Sequence, residues 1–360
     1  MNPDRVFEDL FVLELANNHG GRVDRGLRIV RDFSRIVRFN NVKAAIKLQL
    51  RDVDAFIHQD FRERADIRYI KRTLETRLTK AEYATLTTAI RQAGCITMAT
   101  PFDEVSVDLC VELGVEIIKI ASSDLNDWIL IEKIASTRKP VIVSTGGSSL
   151  KDIDDLVKFF NRRAIALAIN HCVSLYPSED HEIDLNQIDF LRRRYPQNVI
   201  GFSTHEYSDW QTSIAIAYAK GARSFERHVD IAADGLPVAP YCSLPHQIDQ
   251  WFKAHRKAVE MCGAPGTQKR IPLSRENQYL DALVRGVYAR RDLDKGHALR
   301  DEDIYLAIPL QKGQISCREL MRGELLLRDI PADGAIMIDM IDSPYAENEQ
   351  LKALIYQRGL

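Results

Sequence analysis

Short apolar runs rich in β-branched residues recur at regular intervals from the N-terminus to about residue 230. They are apolar on both faces, which is typical of parallel strands covered by helices. Helical patterns lie between them, such as the one that opens with a capping box at Thr79–Glu82 and stops at Gly94. Eight strands alternating with helices predict a (β/α)8 barrel, with a doubly wound sheet as the alternative. The eight runs span residues 11–17, 44–50, 96–100, 117–122, 141–145, 165–172, 198–204 and 224–230.

The regular alternation of strand-like and helical segments ends after Gly263, which predicts a second domain. We predict a barrel domain over residues 1–265 and a linker over residues 266–284, where proline, glycine and charge replace periodicity. Within the C-terminal part, residues 290–304 resemble residues 327–341. This similarity predicts a small β-rich module that is too small for a large core of its own. The module is expected over residues 285–345, followed by a C-terminal tail over residues 346–360.

Composition argues against several classes of partner and location. The net charge of -2 gives no reason to expect nucleic acid or an anionic membrane as a partner. The sequence contains no apolar run long enough to span a membrane, and its N-terminus lacks the order of a signal peptide. The six cysteines are scattered without a CxxC pair, so neither a disulfide framework nor a thiolate zinc site is expected. We therefore expect a reduced, cytoplasmic protein.

Polar side chains stand at the carboxyl end of every predicted strand, where barrel enzymes place their active sites. His205 and His228 end neighbouring strands, and two neutral imidazoles can share a divalent metal that keeps open positions. A single histidine in a strand is more often structural, and we interpret His171 in that way. The other polar groups at these strand ends include Glu14, Lys47, Gln49, Lys119, Ser122, Asp124, Ser144, Ser174, Tyr176 and Ser203.

The types of these residues indicate chemistry on a small anion. Lys47 and Lys119, with nearby serine hydroxyls, suit a phosphate and a carboxylate. Glu14 can act as a base or orient a hydroxyl. Two alternatives stay open: either lysine can simply pair with a carboxylate, or it can form a Schiff base as in aldolases and lyases.

A string of motifs, in order over almost the whole chain, resembles the sialic acid synthases, which condense phosphoenolpyruvate with an N-acetylhexosamine such as N-acetylmannosamine. The segments ELANNHGG, IKLQ and HCVSLYP are similar to the family's E-I-G-x-N-H-N-G, K-x-Q and H-C-x-S-x-Y-P. GFSTHEYSD and FERHVD are similar to its G-x-S-D-H and E-K-H-F, and residues 100–125 to its T-P-F…K-I-A-S stretch. The C-terminal module resembles the SAF, or antifreeze-like, domain of these enzymes.

The resemblance implies a transferase of carbohydrate biosynthesis in which C3 of phosphoenolpyruvate attacks an open-chain aldehyde. Water then adds at C2, and phosphate leaves by C–O cleavage to give a 3-deoxy-2-ulosonic (nonulosonic) acid. A divalent metal, Mn²⁺ with Mg²⁺ or Co²⁺ as alternatives, is implied at His205 and His228, and Glu14 is implied as a catalytic or orienting carboxylate. A homodimer is also implied, with the SAF domain of one subunit covering the other's barrel. The implied phosphoenolpyruvate ligands are Lys47, Lys119, Ser122, Ser144, Ser174 and Ser203, and the implied sugar-facing residues are Gln49, Asp124 and Tyr176.

Departures from the family pattern concern mainly the acceptor. Thr204 stands where the family has Asp, and Ala232 holds a sugar-binding Asp position that Asp230 or Asp234 can replace. Ile308 falls where the SAF domain supplies an arginine for the N-acetyl group. Losing a charged donor to a buried acceptor costs about 2–3 kcal/mol. We therefore expect this reaction class with an acceptor other than plain N-acetylmannosamine, such as a sugar without an N-acetyl group or a sugar phosphate.

The loop after the second strand, residues 51–77, is long and basic. It is either a solvated helical face or a set of cations that reaches over the barrel mouth toward an anionic acceptor. A noncatalytic sugar-acid sensor is the alternative from another class of protein, but the joint presence of both histidines, both lysines and Glu14 favours an enzyme. The loop cations considered are Arg51, Arg62, Arg64, Lys71 and Arg72.

Overall fold

The computed structural model describes residues 3–319 and 323–360. These residues form two compact units, which meet in the chain at the boundary between Gly263 and Ala264. In the first unit, eight parallel strands close into a barrel in chain order, which confirms the predicted fold class. The strands are β1 (Leu10–Ala16), β2 (Ala44–Leu50), β3 (Ile96–Pro101), β4 (Ile117–Ile120), β5 (Val141–Ser144), β6 (Leu167–Cys172), β7 (Val199–Thr204) and β8 (Ser224–His228).

Helices lie between the strands, and their ends follow local signals. The predicted capping box is present at the start of the fourth helix, where Thr79 and Glu82 satisfy each other's backbone N–H groups. Among the described residues, none of the helices is both long and apolar enough to cross a membrane. The helices are α1 (Val23–Asn40), α2 (Val53–Phe56), α3 (Arg68–Glu75), α4 (Lys80–Gln92), α5 (Glu104–Glu112), α6 (Trp128–Ser136), α7 (Leu150–Arg162), α8 (Asn186–Arg194), α9 (Thr212–Ala219) and α10 (Pro245–Cys262).

Alternation along the strands separates an apolar layer from a polar one inside the barrel. Val12, Ala45 and Ile117 belong to a small buried cluster distinct from the large core that includes the helices. Side chains two residues apart point to the same face of a strand. The same spacing therefore places Glu14 above Val12, Lys47 above Ala45 and Lys119 above Ile117, toward the carboxyl ends of the strands.

The second unit has its own core around residues such as Val287, Ile315 and Ile336. Its two similar stretches face each other through reciprocal contacts. The carboxylate of Asp292 accepts a hydrogen bond from the Ala332 N–H, and Asp329 accepts one from the Lys295 N–H, both at 2.8 Å. The repeated Arg-Asp-aliphatic pattern therefore encodes one contact made twice.

Two small antiparallel sheets form this unit, β9 with β10 and β11 with β12. The segment predicted as a tail is helical in part, and its Ile355 is buried in the core of the unit. The elements are α11 (Ser274–Asp281), β9 (Gly286–Ala289), β10 (Ile304–Ala307), β11 (Leu325–Leu326), β12 (Ile341–Asp342), α12 (Pro344–Glu347) and α13 (Glu349–Tyr356).

Candidate active site

A cavity of about 790 Å³ opens at the carboxyl ends of the barrel strands. It is the place where a barrel of this kind puts its chemistry. Most of the side chains that the sequence singles out come together here. Those that line the cavity are Glu14, Lys47, Gln49, Lys119, Ser122, Ser144, Ser174, Tyr176, Ser203, His205 and His228.

Four charged side chains form a buried cluster at the base of this cavity. Lys47 Nζ lies 2.6 Å from Glu226 Oε1 and also pairs with Glu14, while Lys119 Nζ lies 3.6 Å from the same Glu226 oxygen. Burial lowers the pKa of Lys47 to about 7. Burial alone would raise the pKa of Glu226, but Lys119 and Lys47 lower it to about 2. Glu226, to which the sequence assigns no role, therefore holds both lysines at the base.

A hydroxyl cradle lies beside the charged cluster. The Gly146 N–H donates to Ser122 Oγ at 3.1 Å. A Cβ atom at position 146 would lie 2.1 Å from Ser174 Oγ, so only glycine lets the backbone approach this closely. Ser144 Oγ is buried and has no hydrogen-bond partner in the described part of the chain. A buried hydroxyl without a partner is a donor that an anionic ligand can use.

The two histidines lie side by side, with ring centroids 5.4 Å apart. His205 directly follows β7, and its Nδ1 lies 2.9 Å from the Val173 carbonyl oxygen. Because a carbonyl only accepts, Nδ1 carries the proton and Nε2 is left with a free lone pair. Burial lowers the pKa of His205 to about 4 and that of His228 well below its ordinary value. Both rings are therefore neutral at pH 7, which is the state that binds metals.

A buried ion pair joins the residues next to these two histidines. Arg227 Nη1 donates to Glu206 Oε1 at 2.7 Å, and both side chains are 1% exposed. Arg227 Nε donates to Ser243 Oγ at 2.6 Å. Since side chains alternate along β8, Arg227 points away from the face that carries His228. The pair therefore ties the ends of β7 and β8 together behind the histidines, which no local sequence pattern indicates.

Two tyrosines surround the histidine pair. The Tyr176 ring centroid lies 3.9 Å from that of His205, and Tyr241 lies 5.2 Å from both Tyr176 and His228. Tyr241 comes from the irregular loop after β8, where the sequence departs from the family pattern. That departure is the signal that could have pointed to it.

Three arginines of the basic loop, Arg51, Arg68 and Arg72, line the cavity, and the part of the cavity that they line is called the rim. The Arg51 guanidinium lies 3.7 Å from the Phe102 ring centroid, and Arg72 donates to Asn17 Oδ1 at 2.8 Å. Arg68, which the sequence did not single out, also lines the cavity. The remaining loop cations that were considered lie outside the cavity lining; they are Arg62, Arg64 and Lys71.

Three carboxylates predicted to face the sugar are not among the residues that line the cavity. Asp230 Oδ1 lies 2.7 Å from Arg25 Nη2, and Asp234 Oδ2 lies 3.1 Å from Arg25 Nη1 and 2.5 Å from Arg28 Nη2. These two aspartates hold the loop after β8 to α1. Asp124 shares a short 3₁₀ turn with Ser122, and burial raises its pKa.

His171, which we interpret as structural, and Ile308, which departs from the family pattern, are not among the residues that line the cavity. His171 Nε2 lies 2.7 Å from the Ile183 carbonyl oxygen, in agreement with a structural histidine. Ile308 is exposed on the second unit.

The fold and the site define a (β/α)8-barrel protein with a basic, hydroxyl-rich cavity, followed along the chain by a small β-rich unit. The family model "NeuB family" matches residues 40–265, and the model "SAF domain" matches residues 284–342. The chain therefore belongs to the NeuB family, which confirms the resemblance read from its motifs.

Relatives from bacteria agree with this assignment. The spore coat polysaccharide biosynthesis protein SpsE of Bacillus subtilis is 29% identical over 277 residues, 71% of this chain and 74% of that protein. The N,N'-diacetyllegionaminic acid synthase of Legionella pneumophila is 27% identical, over 64% of this chain and 65% of that protein. The crystal structure of a putative spore coat polysaccharide biosynthesis protein E from Chromobacterium violaceum superposes with a TM-score of 0.87 at 37% identity, over 93% of this chain and all (100%) of that one.

Proposed function

We propose that this protein is a transferase that condenses phosphoenolpyruvate with an open-chain aldose to give a 3-deoxy-2-ulosonic acid and phosphate. Membership of a family whose named relatives are nonulosonic acid synthases supports the reaction class. The observation that carries the proposal is the buried Lys47–Glu226–Lys119 cluster beside the hydroxyl cradle and two neutral histidines. Burying so many polar and charged groups costs free energy, and a ligand that binds them in the cavity would offset this cost.

Phosphoenolpyruvate would occupy the base. Lys47 and Lys119 supply cations for its carboxylate and phosphate, and the serine hydroxyls supply neutral donors. The absence of a Cβ at Gly146 leaves room beside Ser122 and Ser174. The full donor set is Lys47, Lys119, Ser122, Ser144, Ser174 and Ser203.

His205 and His228 would hold a divalent metal, Mn²⁺ or else Mg²⁺ or Co²⁺. Their neutral state and the free Nε2 of His205 fit this role. Within the described residues, no group of three or more histidine, cysteine or acidic side chains is placed to bind a metal, so water and substrate would complete the coordination. A metal bound there would polarise the aldehyde carbonyl.

The remaining groups orient the reactants and move protons. The enol electron pair of phosphoenolpyruvate forms the bond from C3 to the aldehyde carbon, whose oxygen takes up a proton. Water adds at C2 and loses its proton to Glu14, which lies within the buried cluster. The C2–O bond to the phosphate then breaks and its electron pair leaves with phosphate, while the C2 hydroxyl gives its proton to the departing phosphate and C2 becomes a ketone. Gln49 and Tyr176, which line the same cavity, would face the acceptor.

The test is phosphate release from phosphoenolpyruvate labelled with ¹⁸O at the bridging oxygen, assayed with Mn²⁺ and a panel of aldoses. The panel holds mannose, N-acetylmannosamine, their 6-phosphates and di-N-acetylated deoxyhexoses. We expect aldose-dependent release with the label in the phosphate, and its loss on adding EDTA. Covalent trapping of pyruvate by borohydride, with activity that survives EDTA, would instead indicate a Schiff-base aldolase.

We also propose that the protein is a cytoplasmic homodimer in which each SAF domain covers the partner's barrel. This proposal rests on the resemblance. Sedimentation velocity should give the mass of a dimer, and a monomer at assay concentration would contradict it.

A further inference from the structure

Most basic residues of the loop at residues 51–77 fall into two groups, and Arg62, which donates to the backbone carbonyl oxygens of Asp54 and Ile57, belongs to neither. The first group is neutralised within the loop itself. Arg64 pairs with Asp66 at 2.7 Å, and Arg77 pairs with Asp54 at 2.5 Å. These pairs are exposed and lie outside the cavity lining.

The second group lines the cavity and lacks such partners. Across residues 3–319 and 323–360, no carboxylate forms a salt bridge with Arg51, Arg68 or Arg72. Arg51 is held by neutral groups, since it donates to Gln49 Oε1 at 3.2 Å and to the Tyr69 hydroxyl at 3.1 Å. Such contacts orient a guanidinium without neutralising it.

At the base of the cavity, the positive charges of two lysines are balanced by the negative charges of two glutamates. Lys47 and Lys119 face Glu14 and Glu226. Arg51 lies close enough to Asp124 to lower the pKa of that carboxyl against the effect of burial, which raises it. The positive charge in excess on the same cavity is therefore mainly that of Arg68 and Arg72. The planar guanidinium group suits phosphate and carboxylate oxygens, which it can bind through two parallel hydrogen bonds. Uncompensated arginines lining a cavity are expected where a ligand brings the counter-charge.

We propose that Arg51, Arg68 and Arg72 bind an anionic group, a phosphate or a carboxylate, at the end of the acceptor aldose remote from its aldehyde. The inference rests on the proposed function, because it names the class of acceptor for the same site. With phosphoenolpyruvate at the base and the aldehyde next to it, the far end of the acceptor reaches the rim.

Binding tests this rim site without relying on turnover. Isothermal titration would compare mannose and N-acetylmannosamine with mannose 6-phosphate, N-acetylmannosamine 6-phosphate and mannuronate on the full chain. We expect a charged sugar to bind at least about tenfold more tightly than its neutral parent. The phosphate and carboxylate arms show which group is preferred. Equal affinity for charged and neutral sugars would overturn the inference.

Variants locate the site. Arg68→Gln should abolish the preference for the charged sugar, whereas Arg64→Gln, in the same loop but outside the cavity lining, should retain it. An equal loss in both variants would mean that only long-range charge is involved, and would overturn the proposed site.

Turnover separates this inference from the proposed function. In Arg68→Gln, the KM for the charged acceptor should rise about tenfold while the KM for phosphoenolpyruvate stays within about twofold. A rise in the KM for phosphoenolpyruvate alone would assign the arginine to that substrate and overturn the inference, with the reaction intact. Preferential binding of charged sugars without any phosphate release would retain the anion site and reject the proposed function.

Discussion

At the base of the cavity, Lys47 and Glu226 are each 3% exposed and lie on β2 and β8, the two strands that pair with β1 in the closed barrel. At the rim, Tyr69 is 58% exposed and Arg68 is exposed as well, on a short helix within a loop. The base is fixed by pairing between strands, such as Glu14 opposite Lys47 and His228. The rim is fixed by a few hydrogen bonds between side chains.

This difference agrees with two proposed roles within one site, bond making at the base and recognition of the acceptor at the rim. Groups that must be placed accurately for bond making are on paired strands, whose register is set by the whole barrel. Groups that meet the variable part of a substrate are on loops, which change without disturbing the core. Ala232, one of the departures from the family pattern, and Tyr241, which lines the cavity, both lie in the loop between β8 and α10, as the proposal of a shared reaction with a different acceptor requires.

The largest expected effect tests the histidines at the base. His205→Ala or His228→Ala should lower phosphate release by about 1,000-fold or more, because the electrophilic contribution of a metal is several kcal/mol. Calorimetry should show weakened Mn²⁺ binding in both variants. His246→Ala, at an exposed histidine, is the matched control. Undiminished release in both site variants would show that these residues do not hold a metal.

The next effect tests whether the buried ion pair between Arg227 and Glu206 stabilises the barrel next to the two histidines. Glu206→Gln leaves the Arg227 guanidinium buried without its counter-charge, which should lower the free energy of unfolding by about 3–5 kcal/mol. All three tryptophans are in the barrel unit, so tryptophan fluorescence during urea unfolding reports on that unit. Asp66→Asn, which breaks an exposed pair, should change this free energy by about 0–1 kcal/mol. Similar losses in the two variants would contradict the role given to the buried pair.

A single methyl group should damage the hydroxyl cradle. Gly146→Ala would place its Cβ within 2.1 Å of Ser174 Oγ, and the resulting displacement should lower kcat/KM for phosphoenolpyruvate roughly 100-fold. Initial rates at varied phosphoenolpyruvate measure this effect. Gly266→Ala, whose Cβ would meet nothing within 4 Å, serves as the control. Unchanged kinetics in Gly146→Ala would remove the cradle from the proposed phosphoenolpyruvate site.

The smallest effect is a pH dependence at the base. The Lys47 pKa is lowered to about 7 by burial, so its ammonium loses a proton as the pH rises through that value. The kcat/KM for phosphoenolpyruvate should therefore fall above about pH 7, by up to roughly tenfold at about pH 8. Lys47→Arg stays charged throughout and should flatten this decline. A flat profile between about pH 7 and 9 in the unmodified protein would contradict the role of the Lys47 ammonium.

Most of the base was predictable from the sequence, apart from Glu226, whereas the rim was predictable only in part, through Arg51 and Arg72. A strand period of two places Lys47 and Glu14 on the inner face, and their position at strand ends puts them at the barrel mouth. The sequence also gives no sign that Asp230 pairs with Arg25, because the two residues lie 205 positions apart in the chain. Tyr241 and Arg68 belong to loop regions, where neither periodicity nor strand ends indicate which side chains reach a cavity.

The two substrates are proposed to divide between the two regions of the cavity, with phosphoenolpyruvate at the base and the far end of the acceptor at the rim. The direct measurement is the pair of KM values, for phosphoenolpyruvate and for the charged acceptor, in Gly146→Ala and in Arg68→Gln. We predict that Gly146→Ala raises mainly the KM for phosphoenolpyruvate and that Arg68→Gln raises mainly the KM for the acceptor. Changes of the same size in both KM values for both variants would contradict this division.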